Sequence, residues 1–145
     1  MNDTKDLTQE APTSPRIRVR GYPLLARMAD KGRAKLKGTL GDYHFNCPLD
    51  QMLFGFKGVD GDAVLKQLES GASNEQIAQW LDGHGTPKTH EEVEAWADQI
   101  EAYKPFDDPE KHDWFVGECK QLGLDPANTT LMDYLEVDDQ KSFGK

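Results

Sequence analysis

The sequence predicts an all-α fold: a single compact domain of about six to seven short helices. Three observations predict it. Apolar residues recur at helical spacing through most of the chain. Two of those runs open with a Ser or Thr followed three residues later by Gln or Glu. No two-residue hairpin signal is flanked by alternating strands. A length of 145 residues suits one domain that buries most of its apolar surface without staples.

The elements follow in order. Residues 1–15 are polar, carry Pro12 and Pro15, and read as a flexible arm. The domain proper spans residues 16–138. Its first helix runs from about Tyr22 to Lys37, where Tyr22, Leu25, Met28, Ala29, Gly32 and Leu36 form one apolar stripe. Arg27, Lys31 and Lys35 form a basic row on another face, Pro23 is tolerated in the first turn, and Gly38 stops the helix. Thr39–Asn46 reads as an extended or turn segment. Pro48 then suits the first position of a second helix, with Asp50 in its favourable first turn and Leu49, Leu53, Phe54 and Phe56 on its apolar side.

A third helix, about Gly61 to Ser70, carries Val64, Leu65 and Leu68. The fourth begins at the Ser73/Gln76 capping box and buries Ile77, Trp80 and Leu81. Gly83–Pro87 is a loop. The Thr89/Glu92 box opens a fifth helix with the cleanest stripe, Val93, Trp96, Ala97, Ile100 and Tyr103, ended by Pro105. Asp108-Pro109-Glu110 starts a sixth with Trp114, Phe115, Cys119 and Leu122 inward, stopped by Gly123. A last short helix holds Leu131, Tyr134 and Leu135, and residues 139–145 read as a frayed tail. The three tryptophans, each on a stripe, are predicted to be core residues.

Composition narrows the function classes. The formal charge of −9 opposes general affinity for nucleic acid. Asn74–Leu81, the only segment resembling a recognition helix, contains no Arg or Lys. No apolar run approaches the roughly 20 residues that span a bilayer, and residues 1–6 lack the pattern of a signal peptide. Two cysteines far apart, Cys47 and Cys119, are too few for a disulfide scaffold, so the expected setting is cytoplasmic. The charge is uneven: from Arg16 to Gly38 eight cations face only Asp30, a local net of +7. That segment either offers a patch to a small anionic ligand or an acidic partner surface, or packs against the acidic remainder of the chain.

The densest polar cluster is Tyr43-His44-Phe45-Asn46-Cys47-Pro48-Leu49-Asp50. With Pro48 first in its helix, Cys47 is the N-cap, facing backbone N–H groups and the positive end of the helix dipole, which favours a thiolate. His44, three residues earlier, would serve as a base. The plainer alternative makes Cys47 a small turn residue and His44 a backbone partner. His44, Cys47 and Asp50 alone make a poor metal set, because zinc needs three or four ligands and no partner pair of known spacing follows. No metal and no cofactor is expected, and no phosphate loop, nucleophile elbow or HExxH helix is present.

This string, together with Ser14-Pro15-Arg16, Gly21-Tyr22, Ala26–Lys31, Arg33-Ala34 and Phe54–Asp60, resembles a family of small, single-domain, cytoplasmic bacterial proteins of unknown function, over about residues 6–105. The resemblance implies that these positions belong together; it carries no activity and no catalytic residues. Two functional expectations result. The first is a non-enzymatic binding module in which Arg27, Lys31, Tyr43 and Asp50 border a cleft for an anionic ligand or an acidic partner. The second is an enzyme with Cys47 as nucleophile and His44 as base, Arg27 or Lys31 holding an anionic substrate group. The exposure of Cys47 and its neighbours discriminates them.

Overall fold

The computed structural model describes residues 4–143 and contains seven α-helices: α1 Leu25–Lys37, α2 Pro48–Lys57, α3 Gly61–Glu69, α4 Asn74–Asp82, α5 His90–Ala102, α6 His112–Leu122 and α7 Leu131–Phe143. Short 3-10 turns at Pro105–Asp107 and Pro126–Asn128 join the last three. Among the described residues there is no strand, and no helix is long and apolar enough to cross a membrane.

Helix α1 is the axis of the molecule, buried continuously from Leu25 to Ala34. It starts three residues later than its apolar stripe suggests. Val19 and Tyr22 exchange both backbone hydrogen bonds, at 3.0 Å each, around Arg20 and Gly21, whose φ values of 51° and 92° have the signs of a type I′ turn. That turn uses up Tyr22 before the helix begins. Leu36, at the far end of the stripe, is 42 % exposed, because the stripe outruns its neighbours there.

The larger core gathers Leu25, Met28 and Ala29 of α1, Leu53 and Phe54 of α2, Val64 and Leu68 of α3, Ile77 and Leu81 of α4 and Val93 of α5. Helices α1 and α3 approach so closely at Gly32 that a side chain there would run into Leu68 and the Phe45 ring. Both expected capping boxes are formed: Ser73 with Gln76 at the start of α4, and Thr89 with Glu92 at the start of α5. A smaller core joins Phe115 and Cys119 of α6 to Tyr134 of α7, with Phe106, Leu124 and Leu131 against it.

Several expectations are corrected. Of the expected arm, residues 4–15 lie packed on the domain: Leu7 is buried, its N–H donates to the Thr39 carbonyl at 2.9 Å, and the Thr13 N–H and hydroxyl donate to Asp30 Oδ2 at 2.7 and 2.6 Å. Helix α6 begins at His112 rather than near Asp108, because the Asp108 carboxylate accepts the Glu110 N–H and the Tyr103 hydroxyl in a preceding turn. Helix α7 is not short; it runs to Phe143, so residues 139–143 of the expected frayed tail are helical. Residues 1–3 of the arm and 144–145 of the tail lie outside the described residues. Trp80 and Trp96 are half-buried, Trp96 stacking on Phe56 with ring centres 4.4 Å apart. Trp114 is 48 % exposed and is not a core residue.

Candidate functional site

The Cys47–Pro48 junction folds as its residue types demand. Asn46 adopts a left-handed φ of 63°, Cys47 is extended as the N-cap, and Pro48 takes the first helical position of α2. Asn46 fits only because residue 61 is glycine, where a Cβ would come within 2.6 Å of the Asn46 carboxamide oxygen. No side chain caps α2, so its first-turn amides are left to solvent or to a ligand.

Facing this junction, α1 presents Arg27 and Lys31 one turn apart on a single face. Both are 3 % exposed. Of the two alternatives for the basic row, these two residues follow the packing one; only Lys35 of the row is exposed. Arg27 donates to both carboxylate oxygens of Asp139 on α7, at 2.8 and 3.2 Å. The same carboxylate accepts the Tyr43 hydroxyl at 2.8 Å, and the guanidinium lies 5.6 Å from the Tyr43 ring centre. Arg27 Nε is buried without a partner. Lys31 Nζ pairs with Asp50 Oδ1 at 2.9 Å, both side chains almost fully buried, and donates to Cys47 Sγ at 3.3 Å. The second Asp50 oxygen accepts the Asn46 N–H at 2.9 Å.

The rest of the basic segment is spent in the same way. Arg16 pairs with Asp133 and Glu136, Arg18 with Asp98 and Glu101, Arg20 with Asp82, and Arg33 with Asp30. Among the described residues, six of the eight cations thus meet a carboxylate and Lys35 and Lys37 do not. The local +7 is mostly neutralised by packing against the acidic remainder of the chain.

These residues form the floor and one wall of a cleft of about 550 Å³. Arg27, Lys31, Tyr43, His44 and Cys47 all line it, while Asp50 supports it from below. On the α2 side the wall is Pro48, Leu49 and Met52. The opposite wall comes from the C-terminal region: Tyr103 and Pro105, Trp114 of α6, and Leu131, Tyr134, Leu135 and Asp138 of α7. Asp42 and Lys111 complete the rim. His44 is exposed at the mouth, and among the described residues no hydrogen bond joins it to Cys47. The expected His44–Cys47 partnership is replaced by Lys31–Cys47.

Burial sets the protonation of the walls. Desolvation, then the hydrogen bond to Asp139, pushes the Tyr43 phenol well above its ordinary range. Tyr103 is pushed up to about 12 by burial and by Asp108, and Tyr134 rises through burial and Glu118. All three phenols stay neutral at physiological pH. Burial, then the neighbouring Asp139 and Glu118, raises Asp138, with Arg27 opposing. The Cys119 thiol is fully buried, and burial, then Asp125 and Glu118, push it up. Among the described residues no three His, Cys, Asp or Glu side chains stand close enough to hold a metal ion.

Sequence reasoning therefore located one wall of the cleft and missed the other. The missed residues lie at least 56 positions beyond Cys47, since Tyr103 is the first of them. The available signal was charge: the cations of residues 16–37 face a C-terminal helix carrying Asp133, Glu136, Asp138 and Asp139.

Comparison with known families matches residues 9–141 to the model described as Domain of unknown function (DUF5069). The chain belongs to that family. The match extends beyond the residues that carry the sequence resemblance and takes in α6 and most of α7, and so both walls of the cleft. No curated protein matches the chain.

Proposed function

We propose that this family member is a binding module for one small organic molecule, with an apolar body and a single anionic group, held in the cleft between α2 and the α6–α7 pair. The carrying observation is the cleft itself. Its volume of about 550 Å³ falls within the roughly 300–1,000 Å³ usual for small-molecule sites. Leu49, Met52, Leu131, Leu135 and the half-exposed Trp114 offer an apolar bed. Polar groups gather at one end, as specificity requires. Because Arg27 and Lys31 are already paired, an anionic end gains directed hydrogen bonds there more than net Coulomb attraction, with Lys111 adding charge and His44 a polar ring at the mouth. An acidic partner surface is the weaker alternative, since among the described residues only Lys35 and Lys37 of the basic segment stand exposed without a carboxylate. We place the protein in the bacterial cytoplasm, on its two free thiols and its sequence resemblance to cytoplasmic bacterial proteins.

Thermal-shift and native mass spectrometry screening of aliphatic and aromatic carboxylates, each beside its amide, tests the reading. Carboxylates are expected to raise the Tm in a saturable way, more than the amides do. Trp114→Ser in the half-exposed wall and Lys111→Gln at the rim are expected to weaken binding without unfolding the chain. A panel without binders, or binding untouched by Trp114→Ser, sinks the proposal.

A further inference from the structure

Cys47, Lys31 and Asp50 form a chain of contacts in which Sγ touches Nζ at 3.3 Å and Nζ touches a carboxylate oxygen at 2.9 Å. A nucleophile beside a proton-handling group, itself oriented by a third residue, is the arrangement that activates nucleophiles in general. The third residue is fixed in turn: Asp50 is held by the Asn46 N–H. The thiol borders the apolar cleft, half-buried, whereas the Cys119 thiol is sealed in the smaller core. Arg27, almost fully buried and lining the same cleft, keeps its Nε without a partner. A buried donor left unpaired is costly in a resting protein.

We propose that the occupant of the cleft carries an activated acyl group, of the thioester or activated-ester class, and that Cys47 takes this acyl group as a protein thioester. The inference rests on the cleft being a small-molecule site. The electrophile follows from where negative charge would develop. In attack on an acyl carbon, the oxyanion forms one bond from the carbon that binds sulfur. There it comes within reach of the Lys31 ammonium and of the uncapped α2 amides of Leu49 and Asp50. Conjugate addition would place the charge three atoms from sulfur, away from both. Disulfide exchange would develop its charge on a leaving sulfur rather than an oxygen, and Cys119, buried in the other core, stands too far away to resolve a mixed disulfide.

The step balances without an oxidant. The Cys47 thiol and R–C(O)–SR′ give Cys47–S–C(O)–R and R′–SH. One carbon–sulfur bond forms and the bond to the leaving sulfur breaks; the thiol proton is lost to solvent as the sulfur attacks beside the Lys31 ammonium, and the leaving thiolate takes a proton back from solvent. Cys47 is the catalytic residue, the Lys31 ammonium faces its sulfur and the developing oxyanion, and Asp50 is a positioning residue.

The probes are p-nitrophenyl acetate and p-nitrophenyl butyrate, with nitrophenolate release, intact mass and peptide mapping as readouts. One acyl group per chain is expected on Cys47, roughly tenfold or more faster than on Cys119 and than on the urea-unfolded chain, and none at position 47 in Cys47→Ala. Lys31→Met should slow acylation about tenfold or more. If that variant unfolds, Lys31→Met/Asp50→Leu removes both charges together and leaves none unpaired; it carries the same expectation. Acylation at the unfolded-chain rate, or at full rate without Lys31, overturns the proposal. A parallel tryptophan-fluorescence titration with butyrate and with an aromatic carboxylate separates the two readings. Binding without Cys47 acylation overturns this inference alone, and absence of both overturns the cleft reading with it.

Discussion

Helix α1 meets its neighbours α3 and α4 through Leu25, Met28, Ala29 and Gly32, all in the apolar core. It meets α7 through charge: the Arg27–Asp139 pair, extended by Arg16 to Asp133 and Glu136 and by a Ser14–Glu136 hydrogen bond of 2.7 Å. Apolar contact is non-directional and tolerates small shifts, whereas a bidentate ion pair fixes one geometry and costs dearly when only half is present. The cleft runs along the seam between these two kinds of attachment. One wall belongs to the larger core, and the other to a helix that packs on α6 through the smaller core and is tied to the α1 side by polar contacts.

The comparison can be broken at four points, in decreasing order of effect. Phe54→Ala, in the heart of the larger core, should cost about 3–5 kcal/mol in urea unfolding. A loss below about 1 kcal/mol would mean that this core is not the main source of stability. Asp139→Asn leaves the buried Arg27 charge uncompensated and should cost up to about 3 kcal/mol, near the low end for breaking such a pair. Arg27→Met/Asp139→Leu should recover most of that loss. A double variant as unstable as the single one would show that the loss does not come from an uncompensated charge at this pair.

The third point is pH. Burial and Asp139 raise the Asp138 carboxyl above its unfolded value. The folded state therefore favours its protonated form, a contribution present below the ordinary carboxylate range and lost as pH rises through the folded value. Asp138→Asn is expected to stabilise the chain at neutral pH and to lose that advantage in acid. A gain equal at pH 3 and pH 7, measured by thermal unfolding, contradicts the assignment. The smallest effect belongs to Arg16→Gln: its pairs are more than a third exposed and such pairs carry roughly 0–1 kcal/mol. The loss should shrink further in 1 M salt. A salt-insensitive loss would point to packing of the side chain instead.

What was legible in the sequence was local. The boxes at Ser73 and Thr89 and the Cys47–Pro48 junction are written within four residues, and each forms as expected. Burial of Arg27 and Lys31 was not legible, because it depends on carboxylates 112 and 19 positions away: Asp139 and Asp50. By local pattern those cations belong to a solvated face; distant partners draw them inside. Trp114 misled for the reverse reason. It sits on the apolar stripe of α6, yet the surface it meets is an open cleft. The candidate site was thus half visible, as one polar string, while the wall opposite had to be supplied by the fold.

The continuous burial of α1 from Leu25 to Ala34 has a kinetic consequence. An amide exchanges with solvent only when its hydrogen bond opens, and the slowest report the opening of the whole domain. Surrounded on every side, α1 has no cheap local route to water, so its central amides should share one slow rate set by global unfolding. Helix α7, with only Met132, Tyr134 and Asp139 buried, can detach at lower free energy and exchange by a partial opening. The cleft would then gape before the rest of the molecule loosens, so admission of a ligand and integrity of the fold would be governed by different events on different timescales.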